Sequence, residues 1–199
     1  KNPFKFGVLV DNEFFTDRQE DLKEVLRTLD SENHLILISP RRFGKSSLVA
    51  KAVKASGRPC ISLNMQNMLS VDDFASKLLR ELFRLYPMER IKHQMSHFRI
   101  IPTVSTNPMT NGVEVSFQPV MNSMVLLEDA MALIEKVSTE EKKLVVVLDE
   151  FQDILNIRKG LDKQLRSIMQ QQQCLNYVLL GSQESMMTEI FERKKSPFY

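Results

Sequence analysis

The chain has 199 residues, enough for one domain with a sizeable hydrophobic core and room for an appendage. Its 43% hydrophobic and 26% charged residues are those of a globular chain, and a formal net charge of +2 gives no whole-protein basis for binding a polyanion. Two cysteines, Cys60 and Cys174, make no disulfide framework and fit a reducing, cytoplasmic setting, and no apolar run approaches the ~18 residues that cross a bilayer.

The opening residues, KNPFKFGVLVDNEFF, mix aromatics with Gly and Pro without a period and read as an extended arm. Asp17 and Glu20 have capping-box spacing ahead of Leu22, Val25, Leu26 and Leu29, which share one helical face. Leu35–Ile38 is an aliphatic run of strand length, and Leu48, Val49, Ala52 and Val53 recur at helical spacing beyond SPRRFGKSS. A strand, a tight loop and a helix follow one another there. Such a helix start leaves several backbone N–H groups without intrahelical partners, and the helix dipole adds partial positive charge, so an anion fits.

Residues 59–65 read as a second strand. Ser70 and Asp73 can cap a helix carrying Phe74, Leu78, Leu79, Leu82 and Phe83, which stops at Pro87. Asn111-Gly112 then precedes Val113, Val115 and Phe117 in alternation with Glu114, Ser116 and Gln118, a hairpin signal. Leu126, Leu127, Ala130, Met131 and Ile134 mark the next helix. KKLVVVLDEFQDIL gives a third strand, Leu144 to Leu148, ending in two acids. Residues 160–173 read as a helix, 177–180 as a fourth strand ending in GSQES, and 185–191 as a last helix.

Aliphatic strands alternating with helices predict an α/β fold whose parallel sheet is covered on both faces. Ligands bind such sheets beyond the carboxyl ends of the strands, where the tips SPRRFGKSS, LDEFQD and GSQES would meet. The first tip departs by one residue from the phosphate-binding pattern GxxxxGK(S/T), with Ser39 in place of the first glycine. Gly44 lets backbone approach a phosphate, Lys45 reaches its oxygens and the Ser46 hydroxyl can ligate magnesium; Arg42, Phe43 and Ser47 complete the expected nucleotide-binding loop. Asp149 fits an anchor for the magnesium shell, and Glu150 fits the base that takes a proton from an attacking water. The alternatives are a solvated basic loop and a pair of acids that cap the following helix.

PRRFGKSSL, VVVLDEFQDI and YVLLGSQES, in that order and preceded by NPFKFG and FFTDRQEDL, resemble the archaeal-type ATPase family of the AAA+/STAND branch of P-loop NTPases. The resemblance covers nearly the whole chain. It implies a three-layer ASCE fold, with Walker A and Walker B motifs at the first two stretches and the strand ending in Ser182 lying between their strands. It further implies that Phe15 and Arg18 lie against adenine, that Ser182 is a polar sensor, and that Asn64 restrains Glu150. Ser182 as a helix cap and Asn64 as a strand-end turn residue stay open.

The implied organisation is one nucleotide-binding domain over 1–199, with an arm and helix in 1–34 and a hairpin insertion in 100–119. A fifth strand, a helical lid and later domains are expected after Tyr199. No arginine matches an arginine finger, since Arg193 reads equally as surface charge. The expected function is a magnesium-dependent ATPase that binds ATP and ADP and switches the conformation of a larger protein, with other domains or homo-oligomer neighbours as partners and no membrane. A small-molecule kinase is disfavoured by Glu150, whereas a scaffold with little hydrolysis and a DNA-associated AAA+ ATPase remain rivals.

Overall fold

The computed structural model describes residues 18–95, 103–107, 112–116 and 123–191. In chain order these form α1 (Gln19–Leu29), β1 (Leu35–Ile38), α2 (Lys45–Ser56), β2 (Cys60–Asn64), α3 (Val71–Leu85) and α4 (Met88–Gln94). Then come β3 (Thr103–Asn107), β4 (Gly112–Ser116), α5 (Ser123–Val137), β5 (Leu144–Asp149), α6 (Ile154–Ile157), α7 (Leu161–Met169), β6 (Leu175–Gly181) and α8 (Glu184–Phe191). One 3-10 turn, Met65–Asn67, follows β2 and another, Phe151–Asp153, follows β5.

Four strands pair in parallel in the order β1-β6-β5-β2, so the strand that precedes Ser182 does lie between the phosphate-loop strand and the acidic strand. The alternation of side chains explains the aliphatic run of β5. Leu144, Val146 and Leu148 join Leu175, Tyr177 and Leu179 in one core, against α3, α5, α7 and α8. Val145 and Val147 face the other way and join Val178 and Leu180 against α1 and α2. Two buried faces call for apolar residues along most of β5 and β6, the polar exceptions being the hydrogen-bonded Asn176 near the amino end of β6 and Asp149 at the carboxyl end of β5, and this is how a parallel strand with helices on both sides reads.

The edge strands differ from the expected two-sided cover. In β1, Leu35 and Leu37 pack toward α1 and α2, while Ile36 and Ile38 on the opposite face are 43% and 36% exposed. In β2, Ile61 and Leu63 are buried and Ser62 and Asn64 are exposed. Each edge strand therefore has one well-covered face, and the other is covered only in part, as where Cys60 packs against the α1 and α2 cluster.

Several ends shift for local reasons. The helix α1 begins with Arg18 as its N-cap, without a side-chain capping bond, in place of the predicted Asp17 capping box; Asp17 itself lies outside the described residues. Ser70 caps α3 by accepting from the Asp73 N–H, and Asp73 accepts from the Leu69 N–H, as the spacing predicts. Pro87 ends α3 and is also the N-cap of α4, a helix hidden in the sequence because proline there reads only as a stop. The predicted 160–173 helix shortens to Leu161–Met169, with Gly160 at φ 81° before it, and 170–173 leave the helix. The antiparallel β3–β4 pair bears out the hairpin, with Asn107 opposite Gly112; Asn111 and Phe117 lie outside the described residues.

At the amino ends of the strands, Arg58 donates to the Lys143, Leu29 and Asn176 oxygens, and the Asn176 amide donates to the Ser31 and Asn33 carbonyls. This clamp joins α1, β1 and β6 at the end of the sheet opposite the carboxyl tips of the strands. Among the described residues no helix is long and apolar enough to cross a membrane.

Candidate nucleotide-binding site

The parallel register brings three tips to one edge of the sheet, with Ile38 opposite Gly181 and Asn64 opposite Asp149. From β1 the chain turns through Pro40 and enters α2 with Gly44 as its N-cap at φ 71°, a left-handed conformation that glycine takes without strain. Arg42 holds the same region at φ 71° without that freedom. No side chain caps α2 and its first turn has no acid, so its leading N–H groups and dipole can serve an anion. Arg18 ties the loop to α1: its Nη1 donates to the Phe43 carbonyl at 2.7 Å and its Nε pairs with Asp21 at 2.7 Å. The Phe43 side chain is 65% exposed, whereas Lys45 and Ser47 are buried.

Lys45 and Ser46 reach across to the acidic tip of β5. Lys45 Nζ lies 3.3 Å from Glu150 Oε1, and both side chains are nearly enclosed. Ser46 Oγ donates to Asp149 Oδ2 at 2.5 Å. The Asp149 Oδ1 accepts from the Glu150 N–H, and Glu150 makes no side-chain cap to the 3-10 turn behind it. The two acids thus face the loop in place of capping a helix.

Glu150 is the most densely bonded group of the site. Its backbone is left-handed at φ 52°, a sparsely populated region for a residue with a side chain, and such strain clusters at functional positions. Its Oε2 accepts from the Ser182 hydroxyl and, at 2.6 Å, from Gln152 Nε2. Burial pushes its carboxyl toward neutrality, but the bonds from Ser182 and Gln152 and the Lys45 charge outweigh burial and hold its pKa below the ordinary glutamate value. The Glu150 carboxylate is therefore ionised at neutral pH.

Ser182 stands at the end of β6, where its hydroxyl also accepts from Arg41 Nε at 3.4 Å. It is seated by Gly181, whose position a Cβ would fill to within 2.3 Å of Met187. Asn64, expected beside Glu150, instead caps the turn after β2 by accepting from the Gln66 N–H at 2.9 Å. Besides Lys45, the Glu150 side chain bonds Ser182 and Gln152, and no sequence signal singles out the latter. Phe15 and Arg193 lie outside the described residues. A cavity of about 650 Å³ between α2 and β2, lined by Val49, Val53, Cys60 and Ser62, touches the site only at Ser46, Asn64 and Asp149.

The donor set fits magnesium. Ser46 and Asp149 offer adjacent oxygen ligands, and Mg²⁺ characteristically takes only one or two protein groups and shares phosphate oxygens. Among the described residues there is no cluster of three His, Cys, Asp or Glu side chains that would hold a metal by itself.

The family described as an ATPase domain predominantly from Archaea matches residues 15–198. Among curated proteins no sequence matches the chain. A Walker-type ATPase of Pyrococcus abyssi is similar in structure, with a TM-score of 0.56 and 19% identity over 94% of this chain and 51% of that one. Cdc6p from Pyrobaculum aerophilum gives a TM-score of 0.58 at 11% identity, covering 98% of this chain and 45% of the other. The Aeropyrum pernix ORC1 protein in complex with DNA gives 0.53 at 14%, covering 88% and 41%. These likenesses are of fold, and the chain spans about half or less of each structure's length.

Proposed function

The chain belongs to the family of ATPase domains found predominantly in Archaea, and on that premise we propose that it binds ATP with magnesium, hydrolyses it, and uses the nucleotide state to switch the conformation of a larger protein. The observation that carries this reading is the pairing of the loop with the acidic tip: Lys45 on Glu150 and Ser46 on Asp149, at the uncapped start of α2. In it the N–H groups from Phe43 to Ser47 bind phosphate oxygens, with Arg42 shaping the turn. Lys45 neutralises the β and γ oxygens. Ser46 and Asp149 hold Mg²⁺, whose charge offsets that of the phosphates.

Glu150 accepts a proton from the attacking water as that water's oxygen bonds to phosphorus and ADP leaves. Ser182 senses the γ-phosphate from the neighbouring strand. Arg18, which braces the loop, and Phe15 are assigned to the adenine side. Asn64 keeps its turn, and any effect it has on Glu150 passes through Asp149, its register partner. The domain spans 1–199 with the arm and α1 in 1–34 and the β3–β4 hairpin as an insertion in 100–119, working in the cytoplasm with other domains or homo-oligomer neighbours.

A specific observation favours a slower relative of this reading, a STAND-like scaffold that binds ATP and hydrolyses little: both carboxylate oxygens of Glu150 are already engaged. One experiment separates the readings. MgATP affinity and single-turnover hydrolysis are measured for the wild type and Lys45→Ala, with and without duplex DNA. Loss of binding in Lys45→Ala together with turnover in the wild type supports the ATPase, and binding without turnover supports the scaffold. Unchanged affinity in Lys45→Ala refutes both, and turnover that requires DNA identifies the DNA-associated form seen in the ORC1 relative's complex.

A further inference from the structure

We propose that Gln152 is a positioning residue that decides which oxygen of Glu150 meets the reacting water, an inference that rests on the hydrolytic reading above. Gln152 is fully buried, in the 3-10 turn after β5. Its neighbours Phe151, in that turn, and Ile154, at the start of α6, are buried apolar residues, and Phe151 stacks on Phe191 with ring centroids 5.8 Å apart. A methionine of similar length would fill the place. An amide buried without partners costs free energy, so a polar residue at such a position needs bonds that answer for it.

Every bond its side chain makes goes to the site. Nε2 donates to Glu150 Oε2 at 2.6 Å and to Ser182 Oγ at 3.4 Å, while Oε1 accepts from the Ser182 N–H at 3.3 Å. One rigid amide therefore bridges the tips of β5 and β6. The left-handed backbone of Glu150 and the bond from the Asp153 N–H to the Glu150 carbonyl wind the chain so that residue 152 returns beneath the carboxylate.

The consequence is an asymmetric base. Among the described residues Oε2 carries two donors, from Gln152 and Ser182, whereas Oε1 carries only Lys45 at 3.3 Å. Phosphate oxygens compete with Glu150 for Lys45, and as the ammonium turns to them Oε1 is the atom released to accept a proton. Oε2 stays fixed. Because the same amide holds Ser182, a displacement of the β6 tip is passed to the base.

The test uses the full chain with Gln152→Met, Ser182→Ala and their combination. Gln152→Met should keep MgATP affinity within about twofold while single-turnover hydrolysis falls about 10- to 10²-fold, the scale of a misplaced catalytic group. The double variant should lose no more than the worse single one, since both substitutions break one bridge. Gln152→Met that folds and hydrolyses at the wild-type rate overturns the proposal.

A second measurement needs no turnover and no folded methionine variant. In nitrogen-edited spectra of the wild type the Gln152 side-chain amide should exchange slowly with solvent and shift in Glu150→Gln and in Ser182→Ala. An amide that exchanges freely and ignores both substitutions overturns the bridge. A protected amide in a protein without any turnover upholds the bridge and refutes the hydrolytic reading instead.

Discussion

Substituting Glu150 by glutamine removes a charge while keeping the shape, and the structure gives the size of the effect. Lys45 Nζ and Glu150 Oε1 are 3.3 Å apart with side chains 6% and 12% exposed. At an effective dielectric constant of about 20 the Coulomb attraction is about 332/(20 × 3.3), or roughly 5 kcal/mol. Desolvation of the two ions cancels most of that, leaving a net contribution of about 1–2 kcal/mol. ATP must displace this pairing to engage Lys45, so Glu150→Gln should bind MgATP more tightly, by about 5- to 30-fold. The same loss should lower the melting temperature without nucleotide by about 2–8 °C, and saturating MgATP should narrow the gap. Hydrolysis should fall by about 10² or more, since an amide cannot take the proton. Calorimetry, thermal melts with and without MgATP, and single-turnover assays read the three effects. Weaker ATP binding, or hydrolysis at the wild-type rate, would refute the assignment of Lys45 and Glu150 as competing partners around a catalytic base.

Asp149→Asn should remove the metal anchor, so that chelating magnesium no longer weakens ATP binding; an undiminished chelator effect, read by titration calorimetry, would place the metal elsewhere. Asn176→Ala breaks the clamp with Arg58 and the Ser31 and Asn33 carbonyls and should cost about 1–3 kcal/mol in urea unfolding while ATP affinity stays within twofold. Burial pushes the Cys60 thiol up to about 11, so alkylation should be slow at pH 8 and rise steeply only toward that value. The sign follows: the stability tied to the neutral thiol is intact below the ordinary thiol pKa of 9.0 and is lost as pH rises through about 11, and fast labelling at pH 7.5 would contradict the burial.

What was legible in the sequence depended on how local its cause is. The aliphatic run of β5 announces a strand buried on both faces, and GKSS before Leu48 and Val49 announces an uncapped helix start, because each needs only its own neighbours. Gln152 was not legible. Its bond to Glu150 depends on the left-handed turn between them, and its bonds to Ser182, 30 residues away, exist only once β6 lies beside β5. The family resemblance implies a role for Asn64 at Glu150, yet its side chain takes a nearby backbone N–H, that of Gln66, the strand-end turn that the sequence also allows. The exposed face of β1 was hidden for a related reason: LILI looks the same whether one face or both are covered, and only the sheet order puts β1 at an edge.

The left-handed backbone at Arg42 and Glu150 bears on how this protein can be evolved in the laboratory. Glycine, and to a lesser degree asparagine, occupy that conformation at lower cost than arginine or glutamate. A library selected only for heat resistance should therefore drift toward glycine or asparagine at 42 and 150, and its winners at 150 would have traded away the carboxylate. Sequence variants recovered from such a selection would map where the fold is held against its own preference, and a second selection for nucleotide turnover should reverse the substitution at 150 first.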